Sequence, residues 1–524
     1  MNLIEDPWIP VVRKNGERVK IAPWQIAEAD NPVVDIAAFR PDFQGALYQF
    51  LTGLLQTVFA PEDEEIWAEQ WQSPDPILKQ ALAKFSPAFE LSGENTVAFC
   101  QDFDLPDGEP KPIANLLIEA PGGKTIKDNL DHFIKRGKAE CMCESCAASA
   151  LFTLQLNAPA GGQGHRVGIR GGGPLTSFVL PAGSNTLWQK LWLNVLPEEH
   201  FVPKADSINA QIFPWMAATR LSTKGTPTLP DDVDALHVFW GNPRRIRLES
   251  GVHIGHCALC GEQGNQLITH FRTKNFGINY DGPWLHPYTP YRFDPKNKEL
   301  PLSLKGQQGG LGYRHWLALN WNDTTNGDAC AKIINHINQE RLDTLEQNNI
   351  DVQLQLWCFG FDMDNMKARC WYESQLPILH IPEHSREKFI NTVSELLASA
   401  RDALNELRAQ IKGAWFSRPN DITGDTSMID SSYWKATDPL FYQQLAVLAK
   451  QVDNHRTCPP EIAEAWVKNI RRICYDIFDT WVLEAYVEDH NMKRITQARR
   501  FLDVKLNKLK SLKYFENYAT AESL

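Results

Sequence analysis

The sequence predicts an α+β protein, with a large irregular mixed N-terminal domain followed by a C-terminal four-helix bundle. Three observations support this. Short apolar stretches of strand character alternate with helical spacing through the first 383 residues. Gly and Pro interrupt that region often. From residue 384 onward, apolar residues recur at three- and four-residue intervals. We therefore expect two domains, 1–383 and 384–524.

The N-terminal domain contains both kinds of secondary-structure signal. Glu28–Leu55 and Ala147–Leu156 have the apolar spacing of helices. Thr176–Leu180, Ala235–Trp240 and Val352–Phe359 are short, apolar and rich in β-branched or aromatic residues, which predicts strands. Their separation along the chain predicts small sheets within an irregular domain.

The C-terminal domain is predicted to be helical throughout. The apolar stripe from Phe389 to Ile411 predicts the first helix, and a segment rich in Gly, Pro and Asp follows it at 413–426. We expect further helices at about 430–452, 460–488 and 491–518, the third opening at a proline, which the first helical turn tolerates. Four helices with short connections predict a bundle.

Composition and charge exclude several classes of protein. A hydrophobic fraction of 43% excludes wholesale disorder. The sequence contains no apolar run of about 18 residues, and its start carries two acids without an apolar core, so we expect neither a membrane span nor a signal peptide. We therefore expect a soluble, cytoplasmic protein. The net charge of −11 argues against a histone-like coat, although a local basic patch is enough to bind phosphates.

Two CxxC pairs predict a zinc site. Cys143 and Cys146 form one pair, and Cys257 and Cys260 form the other, so a four-cysteine shell would join two distant segments. The alternatives are two unrelated pairs of reduced cysteines or a redox CxxC. Three residues lie close enough in sequence to replace a ligand: Cys141, His253 and His256.

The most unusual stretch lies between the CxxC pairs, at 159–174. It holds seven glycines together with Arg166 and Arg170. Glycine lets a backbone approach a ligand closely, and arginine binds phosphate, so the stretch predicts a nucleic-acid contact; the alternative is a flexible surface loop. A weaker signal of the same kind is Lys135 and Arg136 in the segment 131–138, which charged solvated loops also produce.

The last predicted helix is strongly basic. Its only acid between residues 491 and 514 is Asp503, which predicts an electrostatic track along a nucleic-acid backbone; the alternative is a solvated helix face. Its cations are Lys493, Arg494, Arg499, Arg500, Lys505, Lys508, Lys510 and Lys513.

No recognisable catalytic constellation emerges from the sequence. Asp362 and Asp364 form a DxD that could hold a metal, but acids in a turn are more often solvated. The segment ending at Lys124 and Thr125 lacks the first glycine of a phosphate-binding loop. We therefore expect a protein that is not an enzyme.

Several motifs in one order resemble a known family. They are the opening Asn2-Leu-Ile…Trp8-Ile-Pro-Val11, the first CxxC followed by Gly168-Ile-Arg-Gly-Gly172, the CxxCG pair at Cys257, and Gly282-Pro-Trp-Leu-His-Pro287. Over nearly its whole length the chain resembles the large subunit, CasA, of the type I-E CRISPR surveillance complex Cascade.

The resemblance implies a function in antiviral defence. It implies a non-enzymatic subunit that recognises the protospacer-adjacent motif (PAM) of double-stranded DNA from the minor groove and helps to open the duplex. The implied partners are the other Cascade subunits with their CRISPR RNA, the target DNA, and the helicase–nuclease recruited to it.

The resemblance also implies roles for individual residues. The family's glycine loop corresponds to Gly161, Gly162 and Gly164. Its lysine finger corresponds to Lys274, with Arg272 as the alternative because the register is ambiguous. The aromatic residue of its DNA-contacting loop corresponds to Phe133. Asn365 stands where the family's strand-separating wedge carries a glutamine, and the basic fourth helix would lie along DNA.

Two other functions remain compatible with the residues. One is a zinc-containing nucleic-acid-processing enzyme, for instance a nuclease using Asp362 and Asp364. The other is a purely architectural subunit of a ribonucleoprotein that does not read DNA.

Overall fold

A computed structural model describes most of the chain. The described residues are 1–521 without 75, 93–96, 104, 106, 121–126, 128–133, 136, 250, 297, 308, 323–326, 365–366, 422–423, 452–457 and 485–490. The chain divides into two compact units. The first comprises Met1–Gln308 with Asn322–Ile378, and the second comprises Gly309–Trp321 with Leu379–Leu524. The composition shift at residue 384 did not predict that 309–321 belongs with the C-terminal helices.

Small antiparallel sheets and separate helices build the first unit. Its strands are Ile9–Arg13, Arg18–Ile21, Val33–Ile36, Glu109–Pro112, Thr176–Pro181, Arg245–Leu248, Gly255–His256, Gln263–Gly264, His270–Lys274, Tyr291–Arg292, Leu302–Ser303, Asp328–Ala329, Leu354–Asp364 and Lys367–Pro377. Its α-helices are Pro41–Val58, Glu64–Gln72, Leu78–Ala83, Glu144–Asn157, Leu187–Trp192, Lys332–His336 and Leu342–Gln347. Together with the helices of the second unit, these elements confirm the α+β prediction.

The helix Pro41–Val58 forms the centre of the first unit. Nearly all its side chains are buried, and the ring of Phe50 lies 5.7 Å from both Phe99 and Phe152. The predicted helix at Glu28–Leu55 is therefore only partly correct. Pro41 occupies the first helical turn, where its fixed φ is tolerated, and the residues before it form a strand at Val33–Ile36.

One sheet of the first unit confirms the strands predicted at Val352–Phe359 and Thr176–Leu180. Leu354–Asp364 lies between Lys367–Pro377 and Thr176–Pro181, antiparallel to both. The strand predicted at Ala235–Trp240 is wrong, because those residues form a 3-10 helix. The side chain of Asp234 accepts a hydrogen bond from the Leu236 N–H at 2.8 Å and caps that helix.

A second sheet carries residues of functional interest. His270–Lys274 is its central strand, antiparallel to Glu109–Pro112 on one side and to Arg245–Leu248 on the other. Side chains two residues apart on a strand share a face, so Arg272 and Lys274 point to the same side of this sheet.

α-Helices of 5 to 33 residues build the second unit. Their bounds are Trp316–Asn320, Glu383–Trp415, Ser427–Gln451, Pro460–Asp479, Met492–Lys508 and Lys510–Ala521. The indole N–H of Trp466 donates to the Ser399 hydroxyl at 2.8 Å, and the Tyr433 hydroxyl donates to the Ala400 carbonyl at 2.9 Å, so buried polar groups join the helices. Among the described residues, no helix combines the length and apolar character that a bilayer crossing requires.

The predicted fourth bundle helix is two helices. Leu509 adopts an extended conformation and separates Met492–Lys508 from Lys510–Ala521. Leu506 and Phe515 are both fully buried. On one continuous helix they would lie about 180° apart. The break at Leu509 allows both side chains to reach the core.

Candidate nucleic-acid interface and metal centre

The four predicted zinc ligands lie together. The sulfurs of Cys143, Cys146, Cys257 and Cys260 are all within 4.8 Å of one another, and the Cys143 and Cys260 sulfurs are 3.7 Å apart. Zinc bound to four thiolates at about 2.3 Å places its sulfurs about 3.8 Å apart. The cluster therefore fits a structural zinc ion, which would supply a fixed tetrahedral link between the two chain segments.

Backbone geometry prepares both halves of this cluster. Cys143 is the N-cap of the helix Glu144–Asn157, so the two thiols of the first pair lie at a helix N-terminus, which stabilises thiolates. Cys257 and Cys260 lie in the turn between the strands Gly255–His256 and Gln263–Gly264. Gly261 closes that turn at φ +77°, and its N–H donates to the Cys257 carbonyl at 2.9 Å.

The thiols of the cluster also shift the pKa values of one another. Hydrogen bonds with Cys143 and with Cys146 lower the pKa of Cys257 below its usual value. Two of the three possible replacement ligands, Cys141 and His256, form hydrogen bonds with backbone carbonyls. The Cys141 thiol donates to the His256 carbonyl at 3.2 Å, and the His256 Nδ1 lies 3.1 Å from the Gly261 carbonyl.

The glycine loop lies against the strand that carries Lys274. The Phe276 N–H donates to the Gly164 carbonyl at 2.8 Å, and the Asn275 amide donates to the Gln163 carbonyl at 2.7 Å. Two segments more than 100 residues apart, both singled out by the family resemblance, are thus neighbours in the structure.

The three glycines of the loop face different surroundings. Gly164 has φ +79°, and a Cβ there would lie 2.8 Å from the Asn275 Cβ, so its lack of a side chain is required. A Cβ on Gly161 would meet the His165 side chain at 2.5 Å. Gly162 is exposed, and nothing lies within 4 Å of its Cβ position. The loop therefore presents bare backbone to the outside at Gly162.

The two candidate fingers are held to different degrees. The Arg272 guanidinium bonds to Glu249 at 2.7 Å. The Lys274 ammonium lies 3.7 Å from the Asp107 carboxylate, which is 87% exposed, and such a contact is weak. Lys274 is therefore the more available cation of the two.

The two arginines of the glycine-rich stretch are turned into the protein. Arg166 donates to the hydroxyl and the carbonyl of Ser222 at 2.7 and 2.8 Å. Arg170 is only 3% exposed, and its guanidinium bonds to Thr176, Thr289 and Gln49. The expectation that Arg170 meets a phosphate does not fit this burial, so we remove Arg170 from the proposed interface.

Sequence reasoning missed one cation beside the loop. Arg244 contacts the His165 ring and donates to the Pro159 carbonyl, so it braces the base of the glycine loop. Burial lowers the pKa of Arg244 to about 10. In the sequence, Arg244 belongs to the cationic run Arg244-Arg-Ile-Arg247, and nothing in its spacing relates it to the glycine loop.

Three predicted site residues lie outside the described residues: Phe133, Arg136 and Asn365. Lys135 is described and exposed. The DxD carboxylates belong to the hairpin that flanks residues 365–366. Asp362 bonds to Arg369 at 2.8 and 2.9 Å, and Asp364 lies 3.5 Å from the same guanidinium.

The cations of the basic helix divide into two sets. Arg494 donates to the carbonyls of Ala414 and Trp415 at 2.8 and 3.0 Å, at the C-terminus of the longest helix. Arg499 bonds to Asp479 at 3.0 Å. The other cations predicted to contact the DNA backbone are exposed and form no ion pair with a described residue: Lys493, Arg500, Lys505 and Lys508.

Comparisons with known proteins agree on one family. A family model described as CRISPR-associated protein Cse1 matches residues 2–477. A curated relative, CRISPR-associated protein CasA/Cse1 of Thermus thermophilus, is 28% identical over 213 residues. That match covers 39% of this chain and 41% of the relative, so the aligned part spans about two fifths of the relative's length.

Solved structures share the fold at low identity. Thermus thermophilus CasA (Cse1) is 18% identical with a TM-score of 0.73, over 97% of this chain and 99% of that one. Thermobifida fusca Cse1 is 17% identical with a TM-score of 0.69, over 98% of both chains. A chain from a structure described as a CRISPR RNA-guided surveillance complex is 15% identical with a TM-score of 0.67, over 97% and 99%.

Proposed function

Because this chain belongs to the CRISPR-associated protein Cse1 family, we propose that it is a non-catalytic DNA-recognition subunit of an RNA-guided CRISPR interference complex. In that role it reads the PAM of double-stranded target DNA from the minor groove, promotes strand opening and recruits the helicase–nuclease. One observation carries the proposal: the exposed backbone at Gly162 belongs to a loop that is bonded to the residues directly after Lys274.

The shape of the loop suits the minor groove. That groove is only about 6 Å wide, so a large side chain at the loop tip would clash with its walls. Gly162 carries no side chain, and Gly164 holds the turn in a backbone conformation that other residues rarely adopt. The loop can therefore bring peptide groups close to base edges.

Lys274 supplies the charge that the loop lacks. Its ammonium is weakly held by Asp107, and it lies one residue before the two that bond the loop. Minor-groove base edges present acceptor atoms for every base pair, and an ammonium donates to acceptors in any direction. Loop shape and a nearby donor together provide both fit and hydrogen bonding.

The hairpin Leu354–Asp364 and Lys367–Pro377 provides a rigid support for strand opening. Its strands pair up to Asp364 and Lys367, which flank the two residues where we place the wedge, Asn365 among them. Arg369 bridges Asp362 and Asp364 near that end. The arginine occupies both oxygens of Asp362 and lies close to Asp364, so this pair supports the hairpin better than it supports a nuclease metal.

The zinc ion has a structural part in the proposal. The helix Glu144–Asn157 begins at the cysteine cluster and leads at its other end into the glycine-rich stretch. Zinc bound by the four cysteines would fix the start of this helix to the turn at Cys257. The ion would thereby help to position the loop without contacting DNA.

Duplex binding tests the proposal directly. A guide-loaded complex of the other Cascade subunits with CRISPR RNA is measured with and without this chain, on a matched target with an intact or a scrambled PAM. We expect the chain to add binding only on the intact PAM. Equal gains on both duplexes would indicate an architectural subunit, and divalent-ion-dependent cleavage by the chain alone would indicate an enzyme. Either result contradicts the proposal.

A further inference from the structure

A second group of metal-ligating side chains lies in the first unit. One ligand atom from each of His200, His336 and Glu340 lies within 4.8 Å of the other two. The three residues come from two separate segments, a 3-10 helix at Glu198–His200 and the helical stretch that begins at Lys332. None of them belongs to the cysteine cluster or to the glycine loop.

The helix that carries two of these residues is irregular where they lie. A π-helical turn at Ile337–Arg341 interrupts it between the α-helices Lys332–His336 and Leu342–Gln347. His336 and Glu340 are four residues apart, so they share one face of this stretch. Turns of this kind occur often at functional sites because they re-aim side chains.

A neighbouring carboxylate fixes the orientation of His336. The His336 Nε2 lies 2.7 Å from a Glu64 oxygen, and Arg341 holds the same carboxylate through contacts of 2.7 and 2.8 Å. The His336 Nδ1 has no hydrogen-bond partner among the described residues. A carboxylate that orients one imidazole nitrogen while the other stays free is the arrangement found behind metal-bound histidines.

The charge of the cluster suits a divalent cation. The Nε2 of His200 lies 2.7 Å from a Glu340 oxygen and 3.3 Å from a Glu199 oxygen, so two carboxylates lie beside this nitrogen. The carboxylates of Glu64, Glu199 and Glu340 lie against these residues together with one guanidinium, that of Arg341, and this excess of carboxylates favours a cation.

We propose that His200, His336 and Glu340 form a second metal site, which binds a divalent ion of the zinc class. Two imidazoles and one carboxylate are typical zinc ligands, whereas magnesium and calcium prefer oxygen alone. The ion would lie between His200 and Glu340, and these two ligand atoms would separate from 2.7 Å to about 3.3 Å. The bound ion would tie the π-helical turn to the 3-10 helix.

Cobalt titration of the metal-free full-length chain tests this site separately from the cysteine cluster. Cobalt bound by thiolates gives an intense charge-transfer absorption, whereas cobalt bound by imidazole and carboxylate does not. We expect a second equivalent of cobalt that binds without adding to the charge-transfer band. The double variant His200→Ala and Glu340→Gln should weaken this equivalent at least tenfold and leave the thiolate band unchanged.

The variant positions keep the test interpretable. The side chains of His200 and Glu340 are 28% and 43% exposed, so their replacement leaves the core intact. Glu69→Gln, an exposed position on the helix Glu64–Gln72, should bind as the parent does. The proposal is wrong if the double variant also titrates as the parent does, or if all cobalt bound by the parent contributes to the thiolate band.

Discussion

The glycine-rich stretch 159–174 and the helix Met492–Lys508 both carry cations and are both predicted to contact DNA. The arginines of the stretch are bonded inside the protein, whereas several cations of the helix are exposed. Around the loop, Arg166 and Arg170 bond inside the protein and leave glycine backbone at the surface. On the helix Met492–Lys508, cations such as Lys493 and Arg500 stay exposed. Cationic residues in a sequence can thus have two different roles. In the loop region they stabilise the fold, and on the helix they make the surface positive.

This difference predicts different contributions to DNA binding. A shaped backbone with one available ammonium discriminates between sequences, because its fit depends on groove width and base edges. Exposed lysines and arginines on a helix attract phosphates of any sequence, and salt weakens that attraction. We therefore expect the loop to govern PAM preference and the helix to govern general affinity.

Filling the loop tip should have the largest effect on specificity. Gly162→Trp should leave the fold intact, because nothing lies within 4 Å of the Cβ position, but its ring would obstruct entry into the groove. We expect the preference for an intact over a scrambled PAM to fall by about 1–3 kcal/mol, the cost of a mismatched base pair. Duplex binding by the assembled complex measures this change.

A matched control uses another open glycine. Gly251 is also exposed, with nothing within 4 Å of its Cβ position, so Gly251→Trp should retain the PAM preference. If Gly162→Trp keeps the full preference, the loop does not read the PAM and the architectural function gains support.

Removing the exposed helix cations should act on all duplexes alike. In a variant with Gln at Lys493, Arg500, Lys505 and Lys508, we expect about tenfold weaker binding with or without the PAM. The slope of log affinity against log salt should fall by up to about 3.6, or about 0.9 for each lost phosphate contact. A salt titration measures the slope, and an unchanged slope would show that the face does not contact DNA.

Removing a cation of the same helix that is bonded inside the protein should lower stability without weakening DNA binding. Arg494→Leu loses two hydrogen bonds to the carbonyls at the end of Glu383–Trp415, which should cost about 1–2 kcal/mol of unfolding free energy. Arg500→Leu, at an exposed position, should change it by less than about 0.5 kcal/mol. Denaturant unfolding distinguishes them; equal losses would mean that Arg494 has no capping role.

The sequence predicted features that depend on local pattern. Heptad-like spacing from Phe389 to Ile411 predicted a helix inside the observed Glu383–Trp415, and the CxxC spacing predicted the cysteine cluster. It failed at Ala235–Trp240, where residues 236–240 are all buried and the run shows no alternation with exposed residues. Such a run fits a strand or a helix equally well, and only its packing decides.

Contacts between residues far apart in the sequence limited how much of the candidate sites could be predicted. No spacing indicated that His200 would meet His336, because their meeting depends on how separate segments pack. Arg170 was predicted to meet phosphate because it lies in a glycine-rich stretch, yet its guanidinium bonds to Thr176, Thr289 and Gln49. The glycine loop was identified through family resemblance, since glycine content alone fits a flexible loop equally well.

A double-substitution cycle on Gly162 and Lys274 tests the central claim most directly, because the claim is that loop and lysine act as one PAM reader. The difference in binding free energy between intact-PAM and scrambled-PAM duplexes is measured for the parent, Gly162→Trp, Lys274→Ala and the double variant. We predict that each single variant loses most of the preference and that the double variant loses little more, since either change removes the shared fit. Full PAM preference in both single variants would contradict the account.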